Sequence, residues 1–358
     1  MLLGACSPGS TGATAPATPS PSRLSPAAAP SPTPFAIPPE ITLANLFHPA
    51  PHPAYDPARI RTIVVTGDVI PARGVLIEAR RRGDFLWPFR PTASFVKNAD
   101  ITFIDLEAPL FAACPVLDAG FTFCGDPRFV DGLTMSGVKV ANLANNHLTN
   151  YGAEGVNATV KLLADHGIAT CGAGTPAVLT ARGMRFAFLG FTGVGVPIDR
   201  EAMVADIAFA RRNADVVVVQ FHWGKEYERL PMIDRNVPTP DDPVAIGHLA
   251  IDSGADFVVG NHPHWVQGVE VYHGHLITYA HGNFVFDQMW SEETREGVVG
   301  TYTFYDNRLI AASWRPVRIF DYGQPQFMDA NNAARVLGEM AVASDQLATR
   351  LGEPAGAQ

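Results

Sequence analysis

Short apolar, β-branched runs recur along this chain with helix-length gaps between them. Residues 62–65, 101–106, 138–143, 184–189, 216–221, 257–259 and 276–279 each predict a strand that is apolar at successive rather than alternate positions. Such runs belong to strands covered on both faces. Helical patterns fill gaps at 155–166, 201–212 and 243–254, and the last two each pass through an Ala-Asp pair into the next strand. The alternation predicts an α/β fold. Later, 298–305 and 309–315 flank Asp306-Asn307 as the arms of a hairpin, and 331–351 predicts a terminal helix on the outside.

Ahead of this pattern the composition differs in kind. Residues 7–40 are almost entirely Pro, Ala, Ser and Thr, too poor in large apolar side chains to bury a core and prone to extended, solvated conformations. That predicts a flexible tether. Directly before it, Leu3-Gly4-Ala5-Cys6 resembles a bacterial lipobox, in which the Cys is acylated and its lipid supplies the membrane affinity. Met1 to Ala5 are too few for the basic and apolar parts of a secretory signal, so the true start codon is expected upstream. The expected order is a shortened lipoprotein signal with an acylated Cys6 (1–6), the linker (7–40), one domain (60–325) and a helical tail (326–358). Such a chain is extracytoplasmic, lipid-anchored to the cytoplasmic membrane or the cell surface.

Charge and cysteines fit that picture. A net charge of −9 argues against nucleic acid as a partner, and Arg80-Arg81-Arg82 is too short a cluster to reverse it. No apolar run reaches the ~20 residues that span a bilayer. With Cys6 assigned to the lipid, Cys114 and Cys124 bound a loop, CPVLDAGFTFC, that a disulfide could close in an oxidising space. Cys171 is left over as a small buried hydrophobe at a strand end.

Metal-ligand residue types gather where the strands end, the edge at which open α/β sheets bind ligands. The first strand runs into Gly67-Asp68, the second into Asp105-Leu106-Glu107 and the third into Asn145-Asn146-His147. The strand at 216 ends in His222, and the strand at 257 leads into His262-Pro263-His264. A lone Asp after a strand is usually a cap or turn residue and a lone His a core or surface one. So many polar side chains at one edge would each need separate satisfaction, which packing alone does not supply. On an extended His-Pro-His segment, both imidazoles are expected on one side, stiffened by the Pro.

In order, TGDVIPARG, IDLEAPL, ANNHLTNYG, FHWGKEY, VVGNHPHWVQGVEVYHGHLITY and HGNFVFDQ resemble the successive motifs of the CapA family, the capsule or poly-γ-glutamate synthesis proteins of the calcineurin-like metallophosphoesterase superfamily. The resemblance spans about residues 61–314. It implies a β-sandwich flanked by helices and two divalent metal ions, Mn, Fe or Zn by the mixed O/N donors. Carried over, Asp68 and His264 hold one metal, Asn146, His222 and His262 the other, and Glu107 bridges them. His147 is implied as the general acid, pointing away from its neighbour Asn146 in strand geometry. Arg73 is a candidate to grip an anionic substrate group.

The wider superfamily places a His two residues after the first Asp, where this chain has Ile70. That leaves the first metal a ligand short, and Asp105, on the same strand face as Glu107, could compensate. His281 is a further metal-capable group where the family commonly has Leu. Two readings of function follow. One is a surface hydrolase acting on a phosphoester or an acyl or amide bond in capsule or poly-γ-glutamate assembly, beside membrane-embedded synthesis proteins. The other is a non-catalytic metal-containing module that binds or exports an acidic envelope polymer.

Overall fold

The computed structural model describes residues 35–51, 54–174, 176–236 and 241–358, together with positions 9 and 12. Cys6 and most of the tether lie outside the described residues. The chain divides into two units, Met1–Phe35 and Ala36–Gln358, and among the described residues every strand and helix belongs to the second.

Its strands are β1 (Ile60–Val65), β2 (Asp68–Val69), β3 (Ile101–Asp105), β4 (Val138–Asn142), β5 (Ala169–Cys171), β6 (Ala177–Ala181), β7 (Met184–Thr192) and β8 (Val216–His222). There follow β9 (Phe257–Asn261), β10 (Val269–Tyr272), β11 (His275–Thr278), β12 (Asn283–Val285), β13 (Glu296–Tyr305), β14 (Arg308–Phe320) and β15 (Gln324–Phe327). The helices are α1 (Leu43–Phe47), α2 (Gly74–Arg82), α3 (Arg90–Val96), α4 (Phe129–Met135), α5 (Gly152–Asp165), α6 (Arg200–Asn213), α7 (Pro243–Asp252) and α8 (Ala330–Leu351).

Seven strands form one sheet in the order β15-β14-β13-β1-β3-β4-β5, six form a second in the order β10-β11-β9-β8-β7-β6, and β2 pairs with β12. Within the first sheet β1, β3, β4 and β5 run parallel, and within the second β7, β8, β9 and β11 do. Each parallel set ends in the polar residues that close the apolar runs.

Alternate residues of one strand point to opposite faces, and here both faces are covered. Ile63 and Val65 of β1 join Phe103, Phe186, Phe188, Val218 and Phe257 in the layer between the sheets, while Val64 joins the cluster under α2 to α5. The Phe103 and Phe188 rings meet across the sandwich at 4.8 Å. On the far side, Val217 and Val219 of β8 pack on Met203 and Ile207 of α6 and Ile246 of α7. The unbroken apolar runs in the sequence thus reflect strands without a wet face. The terminal helix is amphipathic rather than merely peripheral: Val336, Met340 and Ala348 enter the inter-sheet cluster, and the buried Ser344 Oγ accepts the Val269 N–H at 2.9 Å.

One close approach depends on glycine. A Cβ at Gly260 would stand 2.0 Å from the Tyr279 carbonyl oxygen and 2.5 Å from Trp223 Nε1, which donates to that same oxygen at 3.0 Å. Overpacking a filled interior costs about 1–3 kcal/mol. Gly260→Ala is therefore expected to lower unfolding free energy by that amount in a denaturant titration. An unchanged midpoint would contradict the packing described.

Candidate metal centre

Local backbone chemistry aims each side chain. Asp68 opens β2, where its N–H donates to the Gly282 carbonyl at 2.9 Å and the parallel pairing sets it beside Asn283. Gly67 leaves room for that crossing, since a Cβ there would lie 2.1 Å from Gly282 O. Glu107 lies just past β3 and is fixed by its N–H to Val69 O at 3.0 Å. After β4, Asn145 builds a turn: its Oδ1 accepts the N–H groups of His147 and Leu148, and its Nδ2 donates to Leu106 O at 2.9 Å. Consecutive side chains in such a turn do not alternate as in a strand. Asn146 and His147 therefore face the same centre, with Asn146 Nδ2 3.1 Å from His147 Nε2, and not opposite sides as expected.

The His262-Pro263-His264 segment is likewise not extended. His262 has φ 97° and His264 φ 59°, left-handed conformations that non-glycine residues adopt at a cost and mostly at functional positions. Both imidazoles still turn inward. Asp68, Glu107 and His264 bring ligand atoms within 4.8 Å of one another, and so do Glu107, His222 and His262. Glu107 belongs to both groups. Asn146 Oδ1 lies 2.8 Å from His222 Nε2.

A second ring of groups orients the first. His222 Nδ1 donates to Asp105 Oδ2 at 2.9 Å, and Asp105 Oδ1 in turn accepts from Asn142 at 3.0 Å. Asp105 therefore orients His222, and no metal-capable group among the described residues places it at the first metal position expected for it. His264 Nδ1 lies 2.9 Å from both Asp68 Oδ2 and Asn283 Oδ1, and Asn261 Nδ2 donates to Asp68 Oδ1 at 2.5 Å. His281 sits elsewhere, in the sandwich interior. Trp314 Nε1 donates to Tyr302 Oη at 3.1 Å, leaving the Tyr302 hydroxyl proton for His281 Nε2 at 2.6 Å. Burial pushes His281 down to about 4, and no metal-capable group among the described residues includes it.

The electrostatics of the centre are unbalanced in one direction. Burial drives the Glu107 carboxyl up to about 7. Burial is the largest single influence on Asp68 and would raise it, but the bond to and charge of His264, the charge of His222 and the Asn261 bond together outweigh it and hold Asp68 below the usual range. His222 and His264 lose by burial and gain more from the carboxylates around them, so His222 rises well above its ordinary value and His264 to about 9. His262, buried beside two such imidazoles, is driven well down.

Whether these residues fit a cation is decided by the atoms left over. Glu107 is completely buried, yet neither carboxylate oxygen has a hydrogen-bond partner, and His262 Nδ1 is buried and equally unpartnered. His222 Nε2, 3.3 Å from Glu107 Oε1, attracts the charge without being aligned as a donor, and His147 Nε2 lies 3.7 Å away. Unfilled lone pairs on a buried carboxylate and a buried imidazole are donors that a divalent metal cation takes up. The residues fit the cations that the sequence resemblance implies.

At the rim, His147 Nδ1 donates to Asn150 Oδ1 at 3.0 Å, an oxygen identified as such because it also accepts the Phe123 N–H at 2.7 Å. Burial lowers His147 to about 4. With its one proton on Nδ1, the ring turns the Nε2 lone pair to Asn146 Nδ2 at 3.1 Å, and the general-acid role expected of His147 needs a proton at Nε2 that this arrangement does not carry. Cys114 and Cys124 are joined in a disulfide that closes the loop carrying Phe123, whose ring lies 4.1 Å from His147. Arg73 is 8% exposed, paired with Asp287, donating to Gly120 O at 2.9 Å and stacked on Phe123 and Phe286 at 4.7 and 5.0 Å. It braces the wall of the site, with its Nε buried and without a partner. Cys171 ends β5, buried and unpaired. The reading from sequence missed Asn145, Asn150, Asn261 and Asn283, because an Asn at a strand end passes for an ordinary turn residue.

The sequence model of a family described as bacterial capsule synthesis protein PGA_cap matches residues 62–288. The capsule biosynthesis protein CapA of Bacillus anthracis is 30% identical over 309 residues, covering 77% of this chain and 72% of that protein. The PGA biosynthesis protein CapA of Bacillus subtilis (strain 168) is 35% identical over 189 residues, 47% of each chain. Among solved structures, one titled a novel phosphatase of Mycoplasma pneumoniae superposes with a TM-score of 0.47 at 11% identity, covering 76% of this chain and 99% of that one. That likeness is too slight to carry an argument about chemistry.

Because the carboxylates around them draw His222 and His264 towards the protonated form, filling the two cation positions must release protons. Apparent affinity for Mn²⁺ or Zn²⁺ is expected to climb from about pH 6 towards about pH 9, with calorimetric heats that depend on the buffer's ionisation enthalpy. Binding indifferent to pH and buffer would contradict this electrostatic account.

Proposed function

The chain belongs to the bacterial capsule synthesis protein PGA_cap family, and from that premise we propose that it is a metal-dependent hydrolase acting on a phosphoester or an acyl or amide bond during assembly of poly-γ-glutamate or a similar anionic envelope polymer. The observation that carries the reading is Glu107, whose two buried oxygens lack donors and which is shared by two clusters of ligand atoms. Asp68, Glu107 and His264 would hold one divalent cation, and Glu107, Asn146, His222 and His262 a second. Bound there, such a pair supplies a water of lowered pKa and positive charge against a developing anion.

The chain's own groups have distinct tasks in this scheme. His147 Nε2, whose present partner is Asn146 Nδ2, would accept a proton, with Asn150 fixing the tautomer. Asp105 keeps His222 turned inward through Nδ1. Phe123 and Phe286, with the bracing Arg73 over both rings, form a wall beside His147. A net charge of −9 disfavours contact between an anionic polymer and the general surface. Recognition would therefore run through the metal-bearing pocket.

The Cys114–Cys124 disulfide supports placement in an oxidising compartment. There the acylated Cys6 and the Pro/Ala/Ser-rich tether would hold the domain at the membrane, within reach of membrane-embedded synthesis proteins.

Purified protein assayed on a model phosphodiester and on γ-glutamyl amides tests the proposal. His147→Ala is expected to lower kcat by roughly 10²–10⁴-fold with metal content kept, and His222→Ala to lose both activity and bound metal. Full activity in both variants ends the hydrolase reading.

A further inference from the structure

The two cation positions are unequally served. One has Glu107, Asn146, His222 and His262 around it, the other only Asp68, Glu107 and His264. Neither Ile70 nor Asp105 makes up the difference: Ile70 is apolar, and no metal-capable group among the described residues includes Asp105.

A further carboxylate stands on the solvent side. Glu226, in the segment after β8, forms a third group with His262 and His264, all three ligand atoms within 4.8 Å of one another. Its Oε1 is 3.8 Å from His264 Nε2, the ring nitrogen left over once Nδ1 is committed to Asp68 and Asn283. The third member, His262, is the imidazole whose buried Nδ1 has no hydrogen-bond partner.

The placement of Glu226 is built rather than incidental. Its neighbour Tyr227 donates its N–H at 3.0 Å to the carbonyl of Pro263, midway between the two histidines, from a left-handed backbone with φ 61°. The Tyr227 hydroxyl accepts from Gln288 at 3.2 Å. On either side, Lys225 N–H donates to Met232 O at 3.0 Å, and Gln267 Nε2 donates to the carbonyls of Glu228 and Leu230 at 2.9 and 3.0 Å. Arg229 reaches across to Val266 O and to Glu339 of α8. A surface segment pinned at so many points, with a strained residue beside its carboxylate, holds that carboxylate over the His-Pro-His turn.

We propose that Glu226 is a ligand of the centre, coordinating from the solvent side the cation that His264 binds. This rests on the metal reading above, and the test separates the two.

Full-length protein, stripped with a chelator and reloaded with Mn²⁺ or Zn²⁺ alone, is compared as wild type, Glu226→Gln and Glu228→Gln. Bound equivalents are counted by elemental analysis, and affinities are measured by competition with a chromophoric chelator. Wild type is expected to bind two equivalents. Glu226→Gln keeps one at unchanged affinity and binds the other at least about tenfold more weakly, the least that loss of even an outer-shell partner produces. Glu228→Gln, which removes a charge from the same loop at a side chain paired with Lys225, matches wild type. The metal-free melting temperature of Glu226→Gln also stays at the wild-type value, since the Glu226 side chain is 42% exposed. Two equivalents at wild-type affinities in Glu226→Gln, or equal weakening in both variants, overturns the role of Glu226 and leaves the centre standing. A wild type that binds no cation overturns both.

Discussion

Removing a carboxylate from water without giving it a donor costs several kcal/mol, and Glu107 is held in that state with both oxygens. The surrounding structure is organised around that charge. Burial pushes Glu107 towards neutrality while the same charge draws His222 and His264 towards protonation. Those imidazoles cannot swing away, because Asp105 holds one and Asp68 with Asn283 the other. Asn142, Asn145 and Asn261 then satisfy the outer carboxylates and the strand-end backbone. Each shell answers the unsatisfied polarity of the one inside it, and only the innermost is left open.

Much of this was readable from the primary structure for one reason. Strands buried on both faces write unbroken apolar runs, so a polar residue at the end of such a run stands out. Asp68, Glu107, His222 and His264 could be picked in that way, and the structure brings them together. Direction was harder. The inference that Asn146 and His147 diverge assumed a strand, whereas Asn145 folds the segment into a turn. The inference of an extended His-Pro-His assumed ordinary dihedrals, whereas both histidines take positive φ. Spacing reports side-chain direction only while the backbone stays regular.

Partnership was harder still. Asp105, Arg73 and His281 carry the right atoms, but each is engaged by a group distant in sequence: His222, Asp287 and Tyr302. No local pattern announces such a contact. Glu226 was passed over for the opposite reason, since among Lys225, Glu228 and Arg229 it reads as one more charge of a solvated loop. The helices α2, α3 and α4 escaped notice because they are short, and the exposed Arg80 to Arg82 of α2 obscure its apolar stripe of Val75, Leu76 and Ala79.

The centre is divided between the two sheets of the sandwich. Asp68, Glu107 and Asn146 follow strands of the first sheet or their extensions, and His222, His262 and His264 follow β8 and β9 of the second. The two halves resemble the jaws of a calliper whose gap is set by the thickness of the apolar filling, by pairs such as Phe103 against Phe188. A change of volume deep between the layers, with no contact to any polar group, would alter the opening at the tip. Selectivity for the radius of whatever the jaws close on would then be tuned from the hydrocarbon interior.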